Sequence, residues 1–542
     1  MTNKKTTVGE MGKLYALLGD VYLFEAHYSV DSYLLRLEWH RDAEKKFYAP
    51  RRDALKPAVE GMQLLIDDEL DILGISTPGP MFIGRENELN TLNKLYDSDK
   101  FEFAVIYGRR RVGKTALISE FVKDKDTIFF TGVETNAKQN LDNFSRCIME
   151  YNTGIVADFS IASFQSALEY VFELAKTKRI VLVIDEYPYV ARASKSLAST
   201  LQLLIDKNKD TSKLVLILCG SSMSYMEDHV LAYKAPLYGR KTAQLKIKPF
   251  DFFEACRYFT KLSDIDKALA YGIVGGTPQY LMQLNDNLSI EENIKNTHLN
   301  PASSIFEEPN NLLKQEVREP AIYNAVITAI ATGSSKMNEI SNKIDEDTSV
   351  CATYIKNLIT LGIVKKESPY GEKSSRKTIY SIEDNMFRFW YRFVPENTSV
   401  ISRGATDLAY ERVAPELNTY MGGVFEDICK QYLWKLLIEG KCAVNFSDIG
   451  RWWGSNPKIK SQEEIDIMGT DKDSALFGEC KWTNEKVGIG VLETLVERSK
   501  LFNYKENHFY LFAKTGFTKG CIDRANEVGN VTLVTYEDML KA

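Results

Sequence analysis

The stretch "GRRRVGKT", residues 108–115, constrains this chain more than any other. It follows an apolar run, "FAVIYG" (103–108), and opens a helix-like segment at Lys114. Gly108 and Gly113 let the backbone curl so that successive N–H groups face one anion. Lys114 then reaches the outer phosphate oxygens, and Thr115 offers a hydroxyl to Mg²⁺. A chance Gly-Lys turn would lack the strand before it and the helix after it. The loop, with Arg109, Arg110, Arg111, Val112 and Ala116 in it, therefore predicts a site for ATP.

Further short apolar runs, "TIFFTG" (127–132), "IVLVIDE" (180–186) and "KLVLILCGS" (213–221), alternate with helical stretches. That alternation predicts an α/β fold, a parallel sheet covered on both faces. Asp185 ends its strand about 70 residues after the loop, placed to hold Mg²⁺ through water, and Glu186 is placed to polarise the attacking water. Ser221 and Ser222 end the next strand as polar sensors of the γ-phosphate. Arg240, in "APLYGRK" (235–241), follows that strand, where an arginine finger from a neighbouring subunit of a homo-oligomer would come from.

With 542 residues the chain has room for several domains. Residues 1–80 read as a helical N-terminal extension, 81–248 as the phosphate-loop core, 249–318 as a helical lid, 319–395 as a winged helix-turn-helix, and 396–542 as a second α/β unit. In the winged-helix stretch, Ile340, Ile344, Tyr354, Leu358 and Leu361 recur at helical spacing, and Gly362 stops the helix. Lys373, Arg376 and Lys377 decorate the wing and could touch phosphate, whereas Thr353, Lys356 and Asn357 make a meagre base-reading set. A net charge of −6 limits nucleic-acid contact to such local patches. The longest apolar runs, "IVLVI" and "LVLILC", are too short for a bilayer, and eight cysteines without a C-x-x-C pair fit a reducing, cytoplasmic interior.

Together "FIGRENELNTL" (82–92), the phosphate loop, "IDEYPY", "CGSS" and "PLYGRK" resemble the archaeal-type ATPases among the AAA+/STAND-like nucleoside triphosphatases. The resemblance implies that Gly84 to Glu86 lie by the adenine, and that "GGTPQYL" (275–281) corresponds to the G-x-P segment of the STAND lid.

Near the end, "EEIDIMG" (463–469) and "FGECKW" (477–482) read as neighbouring strands joined by a turn at "TDKD". Period-two alternation puts Glu479 and Lys481 on one face, and Asp466 can point the same way. Two close carboxylates repel, and a divalent cation with a taste for oxygen, Mg²⁺ or Mn²⁺, relieves this; Lys481 would position water or steady developing charge. Many solvated hairpins carry the same residues. Here, though, Glu426 lies on the helix before them, and the order helix-Glu, strand-Asp, Glu-x-Lys resembles the PD-(D/E)XK nucleases. The resemblance implies a restriction-endonuclease-like C-terminal domain with Glu426, Asp466 and Glu479 as metal ligands. The expected function is ATP-controlled cleavage or processing of DNA, in repair or mobile-element defence. The rival is a STAND-like ATP switch or DNA-binding regulator whose C-terminal domain docks without cutting.

Overall fold

The computed structural model describes residues 82–155, 159–372, 376–457 and 460–541. The chain divides into Met1–Met81 and Phe82–Ala542, and only the second unit is described here. The helical extension over 1–80 and the wing residue Lys373 lie outside the described residues.

The first sheet has five parallel strands: β1 (Glu102–Tyr107), β2 (Thr127–Thr131), β3 (Ile180–Asp185), β4 (Leu214–Gly220) and β5 (Ala243–Lys246), in spatial order β2-β3-β4-β1-β5. Strands β1, β3 and β4 are buried along their whole length, which is why they read as unbroken apolar runs. Alternate residues feed opposite cores. Val105, Leu182 and Leu216 pack under the helices Ala137–Thr153, Phe164–Leu174 and Leu197–Asn208. Ile106, Val183 and Ile217 pack under Glu86–Asp97 and Lys114–Val122. Strand β5 was not legible as a strand: "AQLK" is a half-exposed edge of alternating burial with little apolar content. Because all five strands run the same way, the phosphate loop, Asp185-Glu186 and Ser221 emerge at one end of the sheet.

Beyond Phe250 the chain is mostly helical. The helix Glu308–Glu316 is followed by Pro320–Ala331, Met337–Ile344, Thr348–Thr360 and a short antiparallel hairpin, β6 (Val364–Glu367) with β7 (Ile379–Ile382). The long helices Asn385–Ile401 and Leu417–Ile438 come next. The second five-stranded sheet is β8 (Ile449–Asn456), β9 (Ser461–Thr470), β10 (Ser474–Lys481), β11 (Glu506–Ala513) and β12 (Val531–Thr535), ordered β12-β11-β10-β9-β8. Its β8-β9-β10 part is antiparallel and its β10-β11-β12 part parallel. One continuous core runs from Phe250 to Met539, so the helical region, the hairpin and one face of this sheet are packed together. No described helix is long and apolar enough to cross a membrane.

Candidate functional site

The phosphate loop turns on two glycines. Gly113 has φ +85°, and a Cβ on Gly108 would stand 2.3 Å from the Ile247 carbonyl oxygen, so neither position takes a side chain. Gly113 caps the helix Lys114–Val122, whose first N–H groups therefore open onto the loop. Lys114 is buried, which lowers its pKa, and its Nζ donates to the carbonyl of Arg109 at 2.9 Å. Thr115 and Ala116 are exposed at the mouth.

The acidic side gathers at the same end of the sheet. Thr115 Oγ1 donates to Asp185 Oδ2 at 2.9 Å, although β4 separates their strands. Glu186 has φ +49°, a left-handed backbone that a non-glycine residue adopts only when its surroundings enforce it. Its Oε2 accepts from Ser221 Oγ at 2.8 Å and from Ser221 N–H at 3.3 Å, so Ser221 orients the carboxylate. Ser222 instead accepts from Arg192 at 3.1 Å. Glu186, Ser221 and Ser222 line a cavity of about 650 Å³.

The three loop arginines reach further than the sequence suggests. Arg109 forms a buried ion pair with Asp384 and donates to Thr277 Oγ1 at 2.7 Å. Arg110 donates to the Tyr189 hydroxyl at 2.7 Å and lies 3.4 Å from Glu316, and Arg111 pairs with Glu308. Sequence reasoning missed all five of these carboxylate and hydroxyl partners, since nothing local marks them. Arg85 is likewise buried, with its guanidinium on the carbonyls of Val112 and Lys248 and 4.5 Å above the Phe250 ring, which puts the "GRE" segment against the loop. The G-x-P segment is there too: a Cβ on Gly113 would stand 3.6 Å from the Pro278 ring. Arg240 stands apart from the loop of its own chain. It makes a bidentate pair with Asp206 at 2.6 and 2.8 Å, caps the carbonyls of Pro236 and Tyr238, and does not line the cavity beside its own Glu186.

In the second sheet, Asp471 accepts from the N–H groups of Asp473 and Ser474, at 3.0 and 2.8 Å, and so fixes the β9–β10 turn. The ladder runs up to Gly478 opposite Ile467 and then stops. There the Asp466 carboxylate replaces the missing strand partner, accepting from Cys480 N–H at 2.9 Å. A register shift between β8 and β9 leaves Asp466 in an irregular stretch, so simple alternation does not fix its direction. Cys480 points into the core against the helix Leu417–Ile438, as expected, and Glu479 lies on the other face. Burial, reinforced by Asp466, pushes Glu426 up to about 7 and raises Glu479 as well. Burial alone would lower Lys481, but Glu479, 2.7 Å from its Nζ, raises it. Arg498 completes the group, donating to Glu463 at 2.8 Å and standing 3.6 Å from Glu479 Oε2, a buried oxygen with no hydrogen-bond donor.

Among the described residues no three His, Cys, Asp or Glu side chains are close enough to form a ready metal cage. Glu426, Asp466 and Glu479 are therefore neighbours here and not a ready cage. The reason is physical: Lys481 and Arg498 already neutralise Glu479, and Asp466 is committed to the Cys480 N–H.

The helices before β6 present few groups for base reading. Asn357 is engaged with the Tyr323 hydroxyl at 2.6 Å, Thr353 with the Ser349 carbonyl, while Lys356 and Arg376 are exposed. Lys377 pairs with Glu372 at 3.0 Å. Tyr370, after β6, faces the second sheet: it donates its N–H to the Arg451 carbonyl at 2.9 Å on β8, and its hydroxyl meets Thr470 on β9 at 3.1 Å.

Residues 82–284 match a family described as an ATPase domain predominantly from Archaea, and residues 390–491 one described as archaeal and bacterial proteins of unknown function. An uncharacterised protein of Methanocaldococcus jannaschii is 36% identical over 411 residues, 75% of this chain and 88% of its own length. An uncharacterised ATP-binding protein of the same organism is 23% identical over 39% of this chain and 72% of its own. The Walker-type ATPase of Pyrococcus abyssi (17% identity, TM-score 0.44) matches over 57% of this chain and 96% of its own. The ORC2 protein of Aeropyrum pernix (14%, TM-score 0.41) matches over 62% and 96%.

Proposed function

The chain belongs to the archaeal-type ATPase family, and from that premise we propose that it couples ATP hydrolysis at the phosphate loop to metal-dependent cleavage or processing of DNA by the C-terminal sheet. The hydrogen-bonded series Thr115–Asp185 and Ser221–Glu186 carries the first half of this reading. The residues fit the group they would bind: a Cβ on Gly108 would clash with the Ile247 carbonyl, Gly113 sits at φ +85°, and buried Lys114 has a backbone carbonyl in place of an anion. Thr115 and Asp185 would hold Mg²⁺, which would offset charge on the β- and γ-phosphates. Lys114 would exchange the Arg109 carbonyl for phosphate oxygen. Glu186, held by Ser221, would orient the attacking water and take its proton. A second subunit's Arg240, released from Asp206, would act in trans.

The second half rests on Asp466, Glu479 and Lys481 meeting where β9 and β10 part, with Glu426 on the helix beneath. The helix Leu417–Ile438, the strands β8 to β10, the helix Ile489–Ser499 and β11 follow the order that nuclease-like reading requires. Glu426, Asp466 and Glu479 would hold Mg²⁺ or Mn²⁺ once Glu479 turns from Lys481. A winged-helix reading of residues 319–395 is supported by the order of three helices and a hairpin.

One observation favours the rival, a nucleotide switch without cleavage. Tyr370, just after β6, is tied to the second sheet. Supercoiled plasmid, single-stranded DNA and RNA, each incubated with Mg²⁺ or Mn²⁺ with and without ATP, separate the two. Nicking or linearisation that needs the metal supports the nuclease reading; ATP turnover with intact nucleic acid supports the switch.

A further inference from the structure

Glu316 is the last residue of the helix Glu308–Glu316, where the helix dipole disfavours negative charge. Its side chain is only 6% exposed, and its Oε1 is buried with no hydrogen-bond donor. Arg110 Nε stands 3.4 Å from that oxygen, an ion pair without a hydrogen bond. Glu316 also lines the cavity beside Glu186 and Ser221. Burial, reinforced by Glu186, raises its pKa despite Arg110 and Lys114, and Glu316 acts on Lys114 in turn. Each of these placements costs stability, and a fold carries such costs where a function needs the charge. At its other end the same helix is seated on the loop by Glu308, which pairs with Arg111 and accepts from the Tyr280 hydroxyl at 2.5 Å. Glu308 and Glu316 lie about two turns apart and so meet the loop on one face of the helix.

We propose that Glu316 makes this protein discriminate between ADP and ATP, setting a negative charge against the γ-phosphate while the helix Glu308–Glu316 is seated on the loop. The inference rests on the ATPase reading above. ADP ends at the β-phosphate, which the loop N–H groups hold, so it leaves Glu316 undisturbed. The γ-phosphate of ATP enters beside Lys114 and Glu186. There it meets a cavity that already holds two carboxylates, with the field of Lys114 shared between them. Like charges at close range in a partly buried site repel strongly, so ATP binds this arrangement more weakly than ADP. ATP binds well only as the end of the helix that carries Glu316 moves off the loop.

The test uses the full chain with Mg²⁺ and compares ADP with the non-hydrolysable ATP analogue in which NH replaces the β–γ bridging oxygen. In calorimetric titration, Glu316→Gln, which keeps the shape and removes the charge, should bind the analogue roughly tenfold or more tightly than wild type does. Its ADP affinity should stay within about twofold of wild type. Glu316→Asp, which keeps the charge, should hold the ratio of the two affinities nearer to wild type than Glu316→Gln does. A merely structural pairing with Arg110 would instead make Glu316→Gln lose affinity for both nucleotides together. That outcome, or a ratio in Glu316→Gln equal to the wild-type ratio, would overturn the assignment and leave the ATPase reading intact. Failure of the wild-type chain to bind either nucleotide would overturn the ATPase reading, and the assignment with it. If Glu316→Gln fails to fold, Glu316→Ala carries the same expectations.

Discussion

Arg109 of the phosphate loop and Asp384, 275 positions further along the chain, form a buried ion pair. Asp384 is also the N-cap of the helix Asn385–Ile401, accepting from Phe387 N–H at 3.1 Å. One turn into that helix Arg388 contacts Asp427 at 3.1 Å, and Asp427 adjoins Glu426. Lys365 of β6 reaches Asp427 as well, at 3.0 Å, so the carboxylate sits among cations that hold it far below the usual range despite its burial. A physical line of charge therefore joins the loop to the helix beneath the second sheet.

Asp384→Asn keeps the helix cap and removes the charge, leaving Arg109 buried and unpaired. Stability should fall by about 3 kcal/mol, the usual cost of breaking a buried pair, and nucleotide affinity should fall with it. Urea unfolding and titration with a fluorescent ATP analogue check both. Unchanged values in the two measurements would show that Thr277 alone suffices to hold Arg109.

Lys114→Ala should abolish hydrolysis and weaken nucleotide binding, because it deletes the one ammonium within the cradle. Glu186→Gln should keep ATP bound without turning it over, since the phosphate contacts survive. Steady-state turnover and equilibrium binding distinguish them. Hydrolysis at the wild-type rate by Glu186→Gln would rule out Glu186 as the water-orienting group.

The C-terminal set is tested without knowing a substrate. An Asp466→Ala/Glu479→Ala double variant should lose Mn²⁺ binding in calorimetric titration, while Lys481→Ala should bind Mn²⁺ at least as well as wild type, because Glu479 is freed. ATP turnover should survive both, the first sheet having cores of its own. Equal Mn²⁺ affinity in the wild type and the double variant would leave a solvated hairpin.

His298 is buried against Phe389, ring centroids 4.6 Å apart, and its Nε2 has no partner. Burial lowers its pKa from 6.5 to about 3. The unfolded chain therefore takes up a proton below about 6.5 that the folded chain refuses, so stability is full above that pH and falls as pH drops towards 3. Between pH 7 and pH 4 this group should account for about 3 kcal/mol of lost stability. His298→Phe should flatten that part of the profile in urea unfolding measured across the window. A wild-type slope identical to that of the variant would count against a neutral buried imidazole.

What the sequence determined by itself was whatever is encoded within one element or its immediate neighbours. The glycine cradle, the Lys114–Thr115 pair and the strand-end acids Asp185 and Glu186 are local, because backbone curvature and strand termination depend on a few adjacent residues. Cys480 pointing inward followed from the two-residue period of a strand. Strand β5 escaped because an edge strand buries little and so carries no apolar run. The tertiary structure alone decided which carboxylates face the loop arginines, since Glu308, Glu316 and Asp384 arrive from 197 to 275 residues away. It likewise fixed Arg240 on Asp206 and let Asp466 take the Cys480 N–H, where a register shift overrides alternation. Charge pairing acts through space and leaves no periodicity along the chain, so only the folded packing could show it.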